Sequence, residues 1–195
     1  MDIIFIRHGQ TTGDLENRYG GGYDDHLTPE GRRQSESVRE ELKDKKIDLI
    51  ICSSFIRARE TADIISQAMI PVVAENDIKE RNQYGILTGM IREEARQKFP
   101  DLVEKLKDRN NTIEEAESYE DFRKRIEAAF DRLTSDSSHA CIGVIWHGGP
   151  MRVLFRDILK KGELGKEIGD CAWVELRKDK DQFVIEDSKR IEFLF

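Results

Sequence analysis

The chain has 195 residues, of which 38% are hydrophobic and 36% charged, and a formal net charge of -7. That length supports one domain with a substantial core and leaves little room for a second. The charge repels nucleic acid and anionic membrane surfaces, so neither is expected as a partner and an anionic ligand needs a local cluster of cations.

No apolar run is long enough to span a bilayer, and the N-terminal run before Arg7 is too short, and too acidic at Asp2, for a signal peptide. Cys52, Cys141 and Cys171 are odd in number, widely spaced and free of CxxC pairing, which fits buried structural thiols in a reducing cytoplasm. The oligomeric state is left open.

In chain order, short β-branched runs alternate with longer amphipathic ones, the pattern of a helix-covered, mostly parallel sheet. Residues 2–7 form the first expected strand. Thr28 and Pro29 then suit the N-cap and first turn of a helix to about Asp44, with Gly31, Ser35, Val38 and Leu42 as its inner stripe. A second strand is expected over residues 47–52, then a helix with Ala58, Ala62, Ile65 and Met69 on one face. Pro71 is expected to stop that helix before a strand at Val72-Val73.

From Glu75 to about Asn111 the signals weaken, with a charged helix near residues 91–99 and turns at Pro100 and Asn110-Asn111. The stretch at about 85–117 is read as an insertion or lid. Ser118 and Asp121 resemble a capping box before a helix bearing Phe122, Ile126, Ala129, Phe130 and Leu133. Residues 141–146 form a fourth strand, Gly148-Gly149-Pro150 opens a helix carrying Met151, Leu154, Phe155, Ile158 and Leu159, and two alternating runs around Lys178-Asp179-Lys180-Asp181 read as a hairpin.

Ligands of open α/β sheets gather at the carboxyl ends of the strands. Arg7-His8-Gly9 ends the first strand, Ser53-Ser54 with Arg57 follows the second, and His147-Gly148-Gly149 ends the fourth. Parallel strands therefore bring His8, Arg57 and His147 to one edge. Two arginines and two imidazoles beside helix N-termini suit a phosphate.

These motifs carry a resemblance. Arg7-His8-Gly9-Gln10-Thr11, Tyr23-Asp24 with Leu27-Thr28 and Gly31, Ser53-Ser54-Phe55-Ile56-Arg57-Ala58 with Thr61-Ala62, Glu80-Arg81, and His147-Gly148-Gly149 together resemble the histidine phosphatase superfamily, the phosphoglycerate mutase-like proteins. The resemblance implies a three-layer α/β/α sandwich with a mostly parallel central sheet. It also implies an enzyme with His8 as the phosphoryl acceptor, Arg7, Arg57, His147 and Gly148 as the groups binding the phosphoryl oxygens, and Glu80 as the general acid. Gly148 stands where a rival branch carries an aspartate, which favours the branch with a glutamate acid. Imidazole, ordinarily titrating near 6.5, can supply the unprotonated nitrogen that attack requires.

The leading expectation is a phosphomonoesterase acting on a small phosphorylated metabolite, with no metal or other cofactor because arginines can supply the charge. The alternative is a cofactor-dependent phosphoglycerate mutase, for which Arg92, Arg96 and Lys98 would grip a carboxylate; Gly148-Gly149 is closer to the phosphatases. A non-catalytic phosphate-binding or scaffold protein is the third reading. His26 and His139 read as surface groups, Gly20-Gly21-Gly22 as a flexible turn, and Asp24 and Asp25 as solvated carboxylates. Asp14 stands where many relatives have asparagine; it either orients Arg7 or points away.

Overall fold

The computed structural model describes residues 1–135, 138–180 and 182–194. Strand β1 (Asp2–Arg7) is a β-branched and aromatic run in which Ile3 to Ile6 are wholly buried, as a strand covered on both faces demands. Helix α1 (Thr12–Leu15) follows, then α2 (Pro29–Leu42), β2 (Leu49–Ser53), α3 (Ile56–Ser66) and β3 (Val72–Glu75). A 3₁₀ turn at Gly85–Leu87 leads to α4 (Arg92–Lys98), α5 (Pro100–Lys105), α6 (Tyr119–Ser135), β4 (Cys141–Trp146) and α7 (Gly148–Arg152). The chain ends with β5 (Glu163–Leu164), β6 (Trp173–Asp179), β7 (Gln182–Lys189) and β8 (Phe193–Leu194).

The main sheet has the order β3-β2-β4-β1-β6-β7. Its first four strands are mutually parallel, while β6 runs antiparallel to β1 and β7 antiparallel to β6. This is the expected α/β fold with a mixed, mostly parallel sheet. Alternation along β1 divides the core: Ile3 and Phe5 pack with Phe122, Ile126 and Leu154 on one face, Ile4 and Ile6 with Val38, Leu42, Ala58 and Ala62 on the other. A third, smaller cluster, centred on Tyr19, Leu87, Ala95 and Ile113, lies within and beside the 85–117 stretch.

The caps at α2 and α6 form as expected: Thr28 Oγ1 accepts from Gly31 N at 2.9 Å, and Ser118 Oγ accepts from Asp121 N at 3.1 Å. All three cysteines are buried, and burial pushes each thiol up to about 11.

Several expectations need correction. Helix α3 stops at Ser66 because Gln67 and Ala68 turn left-handed, at φ 48 and 57, well before Pro71; Met69 is therefore 78% exposed instead of facing the core. Pro100 begins a helix, sitting in the first turn where its missing N–H costs nothing. Helix α1 was not anticipated; it starts at Thr11-x-x-Asp14, whose reciprocal capping bonds form. The helix after His147 relaxes to π geometry over Val153–Ile158, which keeps the consecutive residues Val153, Leu154 and Phe155 buried. Short β5 and β8 pair antiparallel and were not anticipated. Asp181, within the expected hairpin turn, lies outside the described residues. No helix among the described residues is long and apolar enough to cross a membrane.

Candidate active site

His8 is the first residue beyond β1, and backbone bonds hold it from both sides: His8 N donates to Trp146 O at 3.1 Å, and Cys171 N donates to His8 O at 3.1 Å. Its Nδ1 lies 2.8 Å from Gly9 O, a group that can only accept, so Nδ1 carries the proton. Nε2 is left with its lone pair, toward which Arg57 Nε donates at 3.3 Å. Burial, then the nearby Arg57 and Arg7 charges, holds the imidazole pKa well below 6.5. A Cβ at Gly9 would stand 2.4 Å from Gly31 O, so the Arg-His-Gly turn and the start of α2 fit only because both residues are glycines.

Arg57 projects from the first turn of α3 and is held by Tyr23 O at 2.6 Å, Gly21 O at 3.1 Å and Asp25 Oδ1 at 3.1 Å. Asp25 is 6% exposed, and its other oxygen accepts from Gly13 N at 2.9 Å. It is therefore not the solvated carboxylate expected; an arginine 49 residues away from His8 needs a buried counter-charge to stay oriented. Asp24 is exposed, as expected, and also accepts from Ile56 N at 2.7 Å at the start of α3. Gly21 is no mere turn: its carbonyl takes part in holding Arg57.

Arg7 donates to Ile168 O and pairs with Asp170 at 3.1 Å. Asp14 does not hold Arg7; it lines the same cavity, and its Oδ2 accepts from Thr11 N and Thr11 Oγ1, both at 2.9 Å. Asp170 was not singled out in the sequence, where it sits in a featureless Gly169-Asp170 turn before β6. Burial pushes its carboxyl upward, and Arg7 opposes that shift.

His147 is the N-cap residue of α7. Its Nε2 lies 2.8 Å from Ser53 Oγ, its ring centroid 5.1 Å from that of His8, and its buried Nδ1 has no hydrogen-bond partner among the described residues. Burial, then Arg57, keeps this imidazole pKa well below 6.5 too. Glu80 reaches the same place from the chain after buried Ile78: Oε1 accepts from Arg81 N at 2.8 Å and Oε2 from Gly149 N at 2.9 Å. Burial raises its pKa against the pull of those amides and of Arg57 and Arg7. A Cβ on residue 149 would lie 2.0 Å from Glu80 Oε1.

His8, Arg7, Arg57, Glu80 and Gly148 thus line one cavity of about 660 Å³, with His147 buried beside it. The 85–117 stretch contributes Arg109 to the lining. Arg92 instead lies over the Tyr19 and Tyr84 rings, while Arg96 and Lys98 pair with Glu93 and Glu94. Those three are not among the cavity residues, so they do not grip a ligand there. Among the described residues no group of three or more His, Cys, Asp or Glu could hold a metal ion.

Residues 3–190 match the histidine phosphatase superfamily (branch 1). The uncharacterized phosphatase PhoE of Bacillus subtilis is 29% identical over 157 residues, covering 80% of this chain and 76% of that protein. The metal-independent phosphoserine phosphatase of Arabidopsis thaliana is 27% identical over 171 residues, covering 85% and 71%. Two bacterial 2,3-bisphosphoglycerate-dependent phosphoglycerate mutases match over shorter stretches, 51% and 57% of this chain. The crystal structure of the alpha-ribazole phosphatase of Shigella flexneri superimposes with a TM-score of 0.84 over 95% of both chains at 20% identity, which establishes a common fold.

Proposed function

Because the chain belongs to the histidine phosphatase superfamily, we propose that it is a phosphomonoesterase acting on a small phosphorylated substrate through phospho-His8. The observation that carries this reading is the Nδ1 to Gly9 O bond, which leaves Nε2 of a neutral imidazole as the unprotonated nitrogen, facing Arg57 in the arginine-lined cavity.

Nε2 attacks phosphorus and the bond to the ester oxygen breaks, with Glu80 giving that oxygen its proton. Water then attacks the phosphohistidine, Glu80 takes a proton from it, and inorganic phosphate and neutral His8 are regenerated. Arg7, Arg57, Gly148 N and Nδ1 of His147, which has no partner among the described residues, are the donors for the phosphoryl oxygens, whose charge must be stabilised throughout the transfer. Asp25 and Asp170 act through Arg57 and Arg7 as positioning residues. Glu80 as the acid puts the protein in the glutamate branch. The arginines supply the charge that a metal would otherwise bring, and three reduced cysteines fit a cytoplasmic setting. The 85–117 stretch serves as the insertion that shapes the cavity mouth.

The mutase is the second reading. Against it stands Gly149: the mutases usually carry asparagine there, and no side chain fits beside Glu80 as it is placed here. His8→Ala should lower kcat by about 10³-fold or more and abolish an acid-labile phosphoenzyme. Phosphate release beyond enzyme stoichiometry identifies the phosphatase; interconversion of 3- and 2-phosphoglycerate without release would replace it with the mutase.

A further inference from the structure

The cavity holds more positive charge than its phosphoryl end uses. Arg7 is paired with Asp170, Arg57 with Asp25, Arg18 with Glu16 and Arg156 with Asp157. The other cavity arginines, Arg81, Arg109 and Arg152, have no carboxylate within ion-pair distance among the described residues. Arg152 donates instead to the carbonyls of Leu164, Gly165 and Lys166, and Arg81 to those of Glu117 and Arg109. The Arg109 guanidinium has neither kind of partner among the described residues.

Three of these groups meet at one ring. The guanidinium carbons of Arg81, Arg109 and Arg156 lie 5.4, 5.3 and 5.6 Å from the centroid of Tyr119. The Tyr119 hydroxyl donates to Asp157 and accepts from Arg156. Stacking on an aromatic face fixes a planar guanidinium while leaving its edge free to bind an oxyanion in a bidentate fork. Asp157 and Glu163 are both engaged by Arg156, so the positive charge of Arg81 and Arg109 at this ring is left without an ion-pair partner among the described residues and favours a further anion. At about 660 Å³ the space also admits far more than a phosphoryl group.

We propose that Arg109, which shares the Tyr119 ring with Arg81 and Arg156, anchors a second anion subsite. The preferred substrates are then phosphomonoesters bearing a further carboxylate or phosphate. The inference rests on the phosphatase reading of this cavity and narrows its substrate class.

Two matched pairs of esters test it: 3-phosphoglycerate against glycerol 3-phosphate for a carboxylate, and fructose 1,6-bisphosphate against fructose 6-phosphate for a second phosphate. In the wild-type protein kcat/KM should favour the acid-bearing member of at least one pair by about tenfold or more, and the pair that responds identifies the group. Arg109→Ala should bring that ratio close to one, and Arg109→Lys should restore part of it. Ratios within about twofold for both pairs, or an Arg109→Ala loss equal for both members, would overturn the subsite. Calorimetric binding of the same four compounds, read by the same ratios, decides the subsite even if none is hydrolysed; absence of hydrolysis counts against the phosphatase reading instead.

Discussion

Burial acts in opposite senses on the two groups that exchange protons and phosphate in the proposed reaction. An imidazole loses its proton more readily when desolvated, whereas a carboxyl keeps it. His8 must be neutral to attack, so activity falls only when pH drops through its depressed pKa, below 6.5. Glu80 must be protonated to serve the leaving group, so activity falls as pH rises through its elevated pKa, above 4.5. The pH profile of kcat/KM should therefore show both limbs. Glu80→Gln should lower the rate on alkyl phosphates by roughly 10²- to 10⁴-fold and remove the alkaline limb. The loss should be smaller for an aryl phosphate, whose phenolate leaves without a proton; equal losses would mean that Glu80 is structural. At this scale His8, Arg7, Arg57, His147 and Glu80 were legible because each lies in a local motif. Asp25 and Asp170 were not, because their partners lie 32 and 163 residues away and no local pattern marks them.

The junction of β4 with α7 is the element on which the cavity depends most. Strand β4 lies in register with both β1 and β2, so the residue after it reaches the same edge as His8 and the Ser53 hydroxyl. Helix α7 is short and continues in π geometry, and its first turn presents the Gly149 amide to Glu80 rather than to solvent. Gly149→Ala places a methyl 2.0 Å from Glu80 Oε1, well inside van der Waals contact distance, and must push the carboxylate aside. A displacement of about 1 Å in a catalytic group can cost about 10²-fold, so kcat should fall by that order with little change in melting temperature. A loss of folding instead would show that the glycine serves the backbone of α7. The double glycine was legible in the sequence as a helix start; its contact with a carboxylate 69 residues earlier was not.

Over the whole molecule, a chain of net charge -7 encloses a cavity whose wall includes residues 167–170, the segment before β6. Gly165 N donates to Glu192 O at 2.8 Å and Gly169 N to Arg190 O at 2.9 Å, so the stretch that carries Ile168 and Asp170 to Arg7 is stitched to the segment before β8. Phe193 anchors that segment edge-on against Phe155, with centroids 5.2 Å apart. Phe193→Ala should cost about 1–3 kcal/mol of stability, since the ring is only partly buried, and should raise KM several-fold as the wall around Arg7 loosens. Chemical denaturation with steady-state kinetics on the same sample checks both, and an unchanged KM would detach this strand pair from the site.

The sequence by itself determined the alternating elements, the parallel order of the strands that carry His8, Arg57 and His147, and the residue types that suit a phosphate, because these follow from hydrophobic period, caps and strand-end motifs within a few residues. Only the tertiary structure decided which carboxylates pair with the arginines, which arginines enter the cavity, where α3 stops and how the segment at 165–170 is tied to the chain before β8. Those outcomes depend on long-range charge pairing and packing, and a buried charge reveals its partner only once the chain has brought the two together.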